Sequence, residues 1–421
     1  MKKSFSQSLI AAACLVLVPG AANAATETVL ANLGPSGNNS TGSFPYGSLI
    51  LDGKGNLYGT AANGGKYNGG VVFKLSPPTA INPAWSETIL FSFNGTTTGG
   101  YPAAALATDT AGNLYGTAKY GGAHFSGVVF KLTPSRSGTW TESTIFAFNG
   151  ASQGGYPNAA LVVDSKGNLY GTTPQGGKLS DGAVFELSPP AAGHTAWTET
   201  VLHSFTGKDG ESPVGKLTFD QTGNLYGTAS GGGAASSFTQ QFGVVFKLAK
   251  PAAGKTAWTE SVLLNFNGAG GNGANPTGAV TFDGTGNLYG TAQWGGGGLS
   301  VSQGPGTVFK LAPPRTANGS WTPSILLSFS QAYGLNPNGD IVLDTAGNLY
   351  TTTAGGGKYN DGTVIKLAAR TWAPTVLVNF NGANGQAPTA GLIFDPKVTT
   401  LYGTTPLGGK KGYGTVFRLT Q

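Results

Sequence analysis

The pair Leu-Tyr, preceded by Asn in six copies and followed by Gly-Thr in six, recurs seven times, with its tyrosine at 58, 115, 170, 226, 289, 350 and 402. The intervals between copies run from 52 to 63 residues. Such a period is too long for one coil of a solenoid and suits a four-stranded propeller blade with its loops. Length alone would argue for two or three domains, but a repeat that fills the chain argues for one closed unit.

Each unit holds four short segments rich in β-branched and aromatic residues and bounded by Gly, Pro, Asn or Asp. In the first unit they are Gly47–Asp52, Asn56–Thr60, Val71–Leu75 and Trp85–Phe93. No stretch beyond residue 24 keeps a 3.6-residue period, so no helix is expected. Proline cannot donate to a ladder and belongs on an edge strand. The fourth segment carries Pro323 in one copy and Pro374 in another, which makes it the outer strand. The first segment then lies beside the central axis, where small residues such as Ser48, Ala105, Ala160, Ala279 and Gly391 relieve crowding. Thr26–Leu30 matches the outer strand Thr198–Leu202, while the chain ends on a third segment at Gly414–Thr420. The N-terminal strand is therefore expected to complete the last blade and hide its open edge. The fold expected is all-β, a seven-bladed propeller of four-stranded blades over residues 25–421.

Residues 1–24 stand apart from that domain. Lys2 and Lys3 precede an apolar stretch, Leu9 to Val18, and Ala22-Asn23-Ala24 forms a small-x-small cleavage pattern. This is a secretory signal, too short to span a membrane, with cleavage expected after Ala24 and a secreted or periplasmic product. Cys14 sits inside the apolar stretch instead of closing it, so a lipid anchor is not expected, and no other cysteine follows. Stability must then come from a large packed core without disulfides. Loss of Lys2 and Lys3 leaves 22 basic against 18 acidic residues, thinly spread, with no basic block to suggest nucleic acid.

The pattern Asp-x-x-Gly-Asn-Leu-Tyr-Gly-Thr, then Gly-Gly, then Gly-Thr/Val-Val-Phe-Lys-Leu, resembles the GloVer (Gloeo-Verruco) tandem repeat of exported bacterial proteins, many of them called "choice-of-anchor". The resemblance covers residues 25–421 and implies export and a repeat fold. It brings no biochemical activity with it. Members with an anchor carry a sorting segment after the repeats, whereas this sequence stops at Gln421 directly after the last repeat strand, so a soluble product is expected.

The seven first-strand aspartates, Asp52, Asp109, Asp164, Asp220, Asp283, Asp344 and Asp395, read as turn chemistry: each carboxylate accepts backbone N–H groups of its own turn. The tyrosines of the Leu-Tyr pairs and the third-strand phenylalanines (Phe73, Phe130, Phe185, Phe246, Phe309 and Phe417) read as core layers. Outer-strand glutamates such as Glu87 and Glu199 are expected to be solvated or bonded to threonine. Function is sought where copies differ. The distance from the repeat tyrosine to the third-strand core residue is 15 in five blades and 20 in blades four and five. The lengthened loops contain Phe238, Gln240 and Phe242 in one and Trp294 and Gln303 in the other. In a propeller they share a face with the connections between blades, which carry Phe44, Tyr46, Tyr101, Tyr156 and Asn158, then Asn275, Asn336 and Asn338. Aromatic rings beside amides suit sugars, which present an apolar face and hydroxyl groups together. Lys216 and Asp340 replace small inner-strand residues in blades four and six and are expected to face each other across the channel, as a structural couple or a ligand-contacting pair. Lys66, Lys178, Lys358, Lys410 and Lys411 recur in the second-to-third-strand loops.

Catalytic constellations are sparse. His124 is the one histidine on the loops of interest, and Asp181 and Asp361 form the best carboxylate pair for glycoside chemistry, though both sit in Asp-Gly turns. No metal-ligand spacing or cofactor motif is present, and none is expected. These observations lead to an exported, non-catalytic, monomeric binding propeller whose partner is a polysaccharide or a surface protein. The rivals are a carbohydrate-active hydrolase or lyase on the same scaffold, and a structural envelope or matrix protein.

Overall fold

The computed structural model describes residues 25–34, 41–234, 242–268, 271–297, 304–316 and 319–421. Residues 1–24, on which the expected signal and Cys14 fall, and the lengthened-loop residues Phe238, Gln240 and Gln303 lie outside them. The described chain forms 29 strands and no helix. They assemble as seven antiparallel sheets, six following the order inner, second, third, outer along the sequence. The inner strands are two residues long, as at Ile50–Leu51, because small residues and turns occupy the rest of the axis-facing segment.

Closure follows the expected route. Thr26–Asn32 pairs antiparallel with Thr415–Thr420, from Thr26 opposite Thr420 to Asn32 opposite Thr415. The N-terminal strand thereby becomes the outer strand of blade seven. The strand beyond 28 is Leu335–Pro337, which pairs with the lengthened second strand of blade six, Leu349–Gly355. In the six other blades the same pairing survives as a single bridge, such as Gly100 with Tyr120 or Ala274 with Trp294. These bridges also place the second-to-third-strand loops and the connections between blades on one face, called here the loop face.

The seams between blades are built from repeated aromatic contacts. Phe93, Phe148, Phe205 and Phe266, each just past an outer strand, meet Phe130, Phe185, Phe246 and Phe309 of the next blade edge-on at 4.9 to 5.3 Å. Six of the seven tryptophans pack beside the repeat tyrosine of the preceding blade, as Trp140 does on Tyr58 at 6.3 Å. The seventh, Trp294, lies instead on the loop face, at a bridge to Ala274. Threonines of the second strands cross the seam nearer the axis: Thr60, Thr228 and Thr404 donate to the carbonyls of Ala104, Gly278 and Gly47.

The aspartate turns are architecture, as the sequence suggested. Asp52 accepts from the backbone N–H groups of Lys54 and Asn56, from the Asn56 amide and from the Tyr58 hydroxyl. Burial pushes its carboxyl up, but these hydrogen bonds outweigh it and hold Asp52 below the usual range. Burial and the Asp52 charge push Tyr58 up to about 12. The outer-strand glutamates depart from expectation. Glu142 does accept from Thr144. Glu87, Glu199 and Glu260 instead each bury Oε1 without a partner, and burial pushes all three carboxyls up to about 7.

Candidate functional site at the channel mouth

The connection entering each blade contains a proline preceded by a residue with φ between 53° and 60°: Phe44, Tyr101, Tyr156, Ser212, Asn275, Asn336 and Ala387. The cause is shared. Each of these residues donates its backbone N–H to a carbonyl of the preceding blade's loop, as Tyr101 does to Gly69 and Tyr156 to Ser126. Left-handed backbone costs a side-chain-bearing residue about 1–2 kcal/mol, least for asparagine, and glycine nothing. The chain holds 70 glycines, yet none stands at these seven places. Bulky aromatic residues occupy three of them and amides two, so side chains are retained there against a backbone cost.

Just after the prolines the chain turns down into the axis and lines a cavity of about 510 Å3 to which all seven blades contribute. Six residues singled out in the sequence meet here: Tyr46, Tyr101, Asn158, Lys216, Asn338 and Asp340. Tyr46 and Tyr101 stack at 6.1 Å, Tyr101 meets Tyr120 edge-on at 5.8 Å, and Tyr120 meets Tyr156 at 6.1 Å. An aromatic wall thus runs along blades one to three. Lys119 Nζ lies 5.9 Å from the Tyr101 ring and 5.3 Å from Tyr120. Burial, with the charge and hydrogen bond of Tyr46, pushes the Tyr101 hydroxyl up to about 12, so it remains a donor at any ordinary pH.

The opposite arc is polar. Thr277 Oγ1 donates to Asn338 Oδ1 at 3.1 Å, and Asp340 Oδ1 accepts the Ala279 N–H at 2.7 Å. Asp340 is therefore tied to blade five, and it forms no ion pair with Lys216, which is exposed to the channel. Asn158 Oδ1 and Thr389 Oγ1 are buried at the cavity wall with no partner in the protein. A buried polar atom left unpaired costs about 1–3 kcal/mol.

Other residues proposed from the sequence sit elsewhere. Phe44 packs edge-on against Tyr413 at 5.9 Å, on the same face but outside the cavity. Asn275 donates its amide to Gln293, a cavity residue, and Asn336 holds the same left-handed position one blade on. Trp294 is about one-third exposed on the loop face, at the bridge to Ala274 and ahead of the lengthened segment. Phe242 packs against the core cluster of Phe266, Val280 and Phe309, which gives it a packing role. His124, Asp181 and Asp361 do not line the cavity. Asp361 accepts from Gln386 at 2.8 Å and Asp181 offers its carbonyl to Ser212, so the two serve equivalent loops in different blades. Lys119, Gln293, Thr277 and Thr389 were missed. The residue two places before Gly-Gly is Ala62, Lys119, Pro174, Ser230, Gln293, Ala354 and Pro406 in successive blades, and that variation marked Lys119 and Gln293.

The fold defines the protein as a seven-bladed β-propeller. The model of the Gloeobacter/Verrucomicrobia repeat family matches residues 21–239 and 297–421, and the chain belongs to that family. No curated protein matches the sequence. Among solved structures, a periplasmic gluconolactonase of Pseudomonas aeruginosa is 13% identical with a TM-score of 0.51, covering 87% of this chain and 98% of its own. A 6-phosphogluconolactonase described as putative, from Bacteroides uniformis, is 12% identical with a TM-score of 0.49, covering 80% and 85%. At such identities the likeness shows the fold alone.

Proposed function

We propose that this protein is a non-catalytic saccharide-binding propeller, exported from the cell, and that it takes sugar units of a polysaccharide or cell-surface glycan at the mouth of its channel. The observation that carries the reading is the composition of that cavity. It sets the Tyr46–Tyr101 stack opposite amides and Lys216, with Asn158 and Thr389 each holding an unpartnered polar atom in its wall. A sugar ring matches both halves, with its C–H face against the aromatic wall and its hydroxyl groups on the unpaired atoms. Asp340 is the one carboxylate in the lining, and an oxygen of it is occupied by Ala279. Glycoside hydrolysis uses two carboxylates flanking the scissile bond, which this lining does not offer.

The test is calorimetric titration with soluble plant, fungal and bacterial oligosaccharides, alongside an assay for released reducing ends. Binding without turnover is expected for at least one glycan, weakened about tenfold or more by Tyr101→Ala, since truncating an aromatic anchor of a binding site costs about 2 kcal/mol or more. Product release from any of these glycans that disappears on Lys216→Ala or Asp340→Asn would replace the binding reading with an enzymatic one.

A further inference from the structure

Among the described residues ten large apolar side chains are substantially exposed, and only Ile81 and Ile325 lie away from the loop face. The most exposed of the others stand on the tips of the second-to-third-strand loops, outside the channel cavity. Tyr67, Leu179 and Tyr359 occupy the same position in blades one, three and six and are 55%, 56% and 49% exposed. Phe125, at 66%, stands one place further along the corresponding loop of blade two. Each of the three equivalent residues follows a lysine: Lys66-Tyr67, Lys178-Leu179 and Lys358-Tyr359. Lys66 Nζ and Lys358 Nζ both lie 5.0 Å from the centre of the neighbouring tyrosine ring, so charge and apolar surface are presented as one unit.

Geometry narrows the partner. Equivalent positions in a ring of repeated blades stand at one height along the axis, and three of them, in blades one, three and six, define a plane facing away from the molecule. Tips spread around the ring in this way are touched together by a flat surface. Leucine and phenylalanine at such tips have no hydrogen bond to offer a sugar and gain from entering hydrocarbon. Aromatic rings settle at headgroup depth, and lysines beside them reach anionic headgroups. We propose that the loop tips form a docking platform for an anionic lipid surface, with Tyr67, Phe125, Leu179 and Tyr359 entering the headgroup boundary and Lys66, Lys178 and Lys358 pairing with lipid phosphates. The platform is separate from the saccharide site and directs the channel mouth toward the surface.

Sedimentation with vesicles of equimolar phosphatidylglycerol and phosphatidylcholine tests this, with pure phosphatidylcholine as the neutral comparison. The purified protein is expected to partition onto the anionic vesicles, weakly onto neutral ones, and to be released by high salt. The Lys66→Gln/Lys178→Gln/Lys358→Gln variant is expected to lose about a hundredfold in partitioning, roughly fivefold per lysine. Tyr67→Ser/Leu179→Ser/Tyr359→Ser is expected to lose at least about tenfold, while Ile81→Ser on the opposite face retains the parent value. Unchanged thermal unfolding and oligosaccharide titration in the variants keep these losses distinct from misfolding and from the channel site. Absence of vesicle binding, equal binding to neutral vesicles, or full binding by both triple variants would overturn the proposal. So would retention on an anionic polysaccharide such as alginate without any on vesicles.

Discussion

In six blades the central residue of the second strand is glycine and its partner across the ladder is phenylalanine, as with Gly171 opposite Phe185. In blade six the pair is Thr351 opposite Ile365, and both are buried. The exchange is a volume trade. A Cβ built on Gly171 would stand 2.6 Å from the Phe185 ring and 2.8 Å from Leu161. Carbon pairs rest at about 3.5–4.0 Å, so the ring would have to retreat by about 1 Å into a fully packed seam. Gly171→Thr alone is therefore expected to cost about 3 kcal/mol, the upper end for overpacking. Phe185→Ile alone should cost about 1–2 kcal/mol, below the roughly 3–5 kcal/mol of truncation to alanine. If the two were independent, the double variant would lose about 4–5 kcal/mol. The blade-six pairing predicts that it loses only about 1–2 kcal/mol, a coupling of about 2–3 kcal/mol or more. Urea unfolding followed by tryptophan fluorescence, on parent, both singles and the double, measures that coupling. A double variant as unstable as the sum of the singles would refute the volume-trade reasoning.

The repeat made the ring legible because each recurring residue has a local physical duty. Asp52 and Asn56 close a turn, Tyr58 and Trp140 fill a seam, and proline selects an edge; none of these needs distant information. The closure by Thr26–Asn32 was readable for the same reason, since its sequence copies the other outer strands. Tyr46, Tyr101, Asn158, Lys216, Asn338 and Asp340 were found as departures from the repeat, and the structure brings them into one cavity. What stayed hidden depended on side-chain direction across blades. Lys119 reads as a loop lysine until its ammonium is seen over two tyrosine rings. Glu87 reads as a solvated strand residue, because no local pattern reveals that its Oε1 is buried without a partner. Asp181 and Asp361 attracted notice as a carboxylate pair, yet equivalence in sequence puts such residues around a ring and not across a cleft.

Stability should peak on the acid side of neutral. Glu87, Glu199 and Glu260 titrate near 7 in the folded chain, above their unfolded value near 4.5, so their contribution is complete below about pH 4.5 and is lost as pH rises through 7. The turn aspartates, Asp283 near 2 among them, act oppositely and lose theirs as pH falls below about 4. Melting temperature against pH should therefore rise from pH 8 to 5 and fall below 4, and Glu87→Gln/Glu199→Gln/Glu260→Gln should flatten the upper limb; a limb unchanged in that variant would contradict the burial argument. Deleting residues 25–33 should expose the edge of Thr415–Thr420 and shift the elution profile to larger species than the parent's, whereas an unaltered profile and melting point would show that closure is dispensable. The threonine seam supplies the sharpest contrast. Thr228 donates to the Gly278 carbonyl at 2.9 Å, while Thr172, its counterpart one blade earlier, is equally buried and its hydroxyl has no partner. Replacing a hydroxyl by a methyl of the same shape removes a bond in one case and an unmet desolvation cost in the other. Thr228→Val is thus expected to destabilise by about 1 kcal/mol and Thr172→Val to stabilise by a similar amount. Equal losses in both variants, by urea midpoint, would show that the blade three–four seam is satisfied after all, and with it that unpaired groups near the axis are no guide to where this ring takes a ligand.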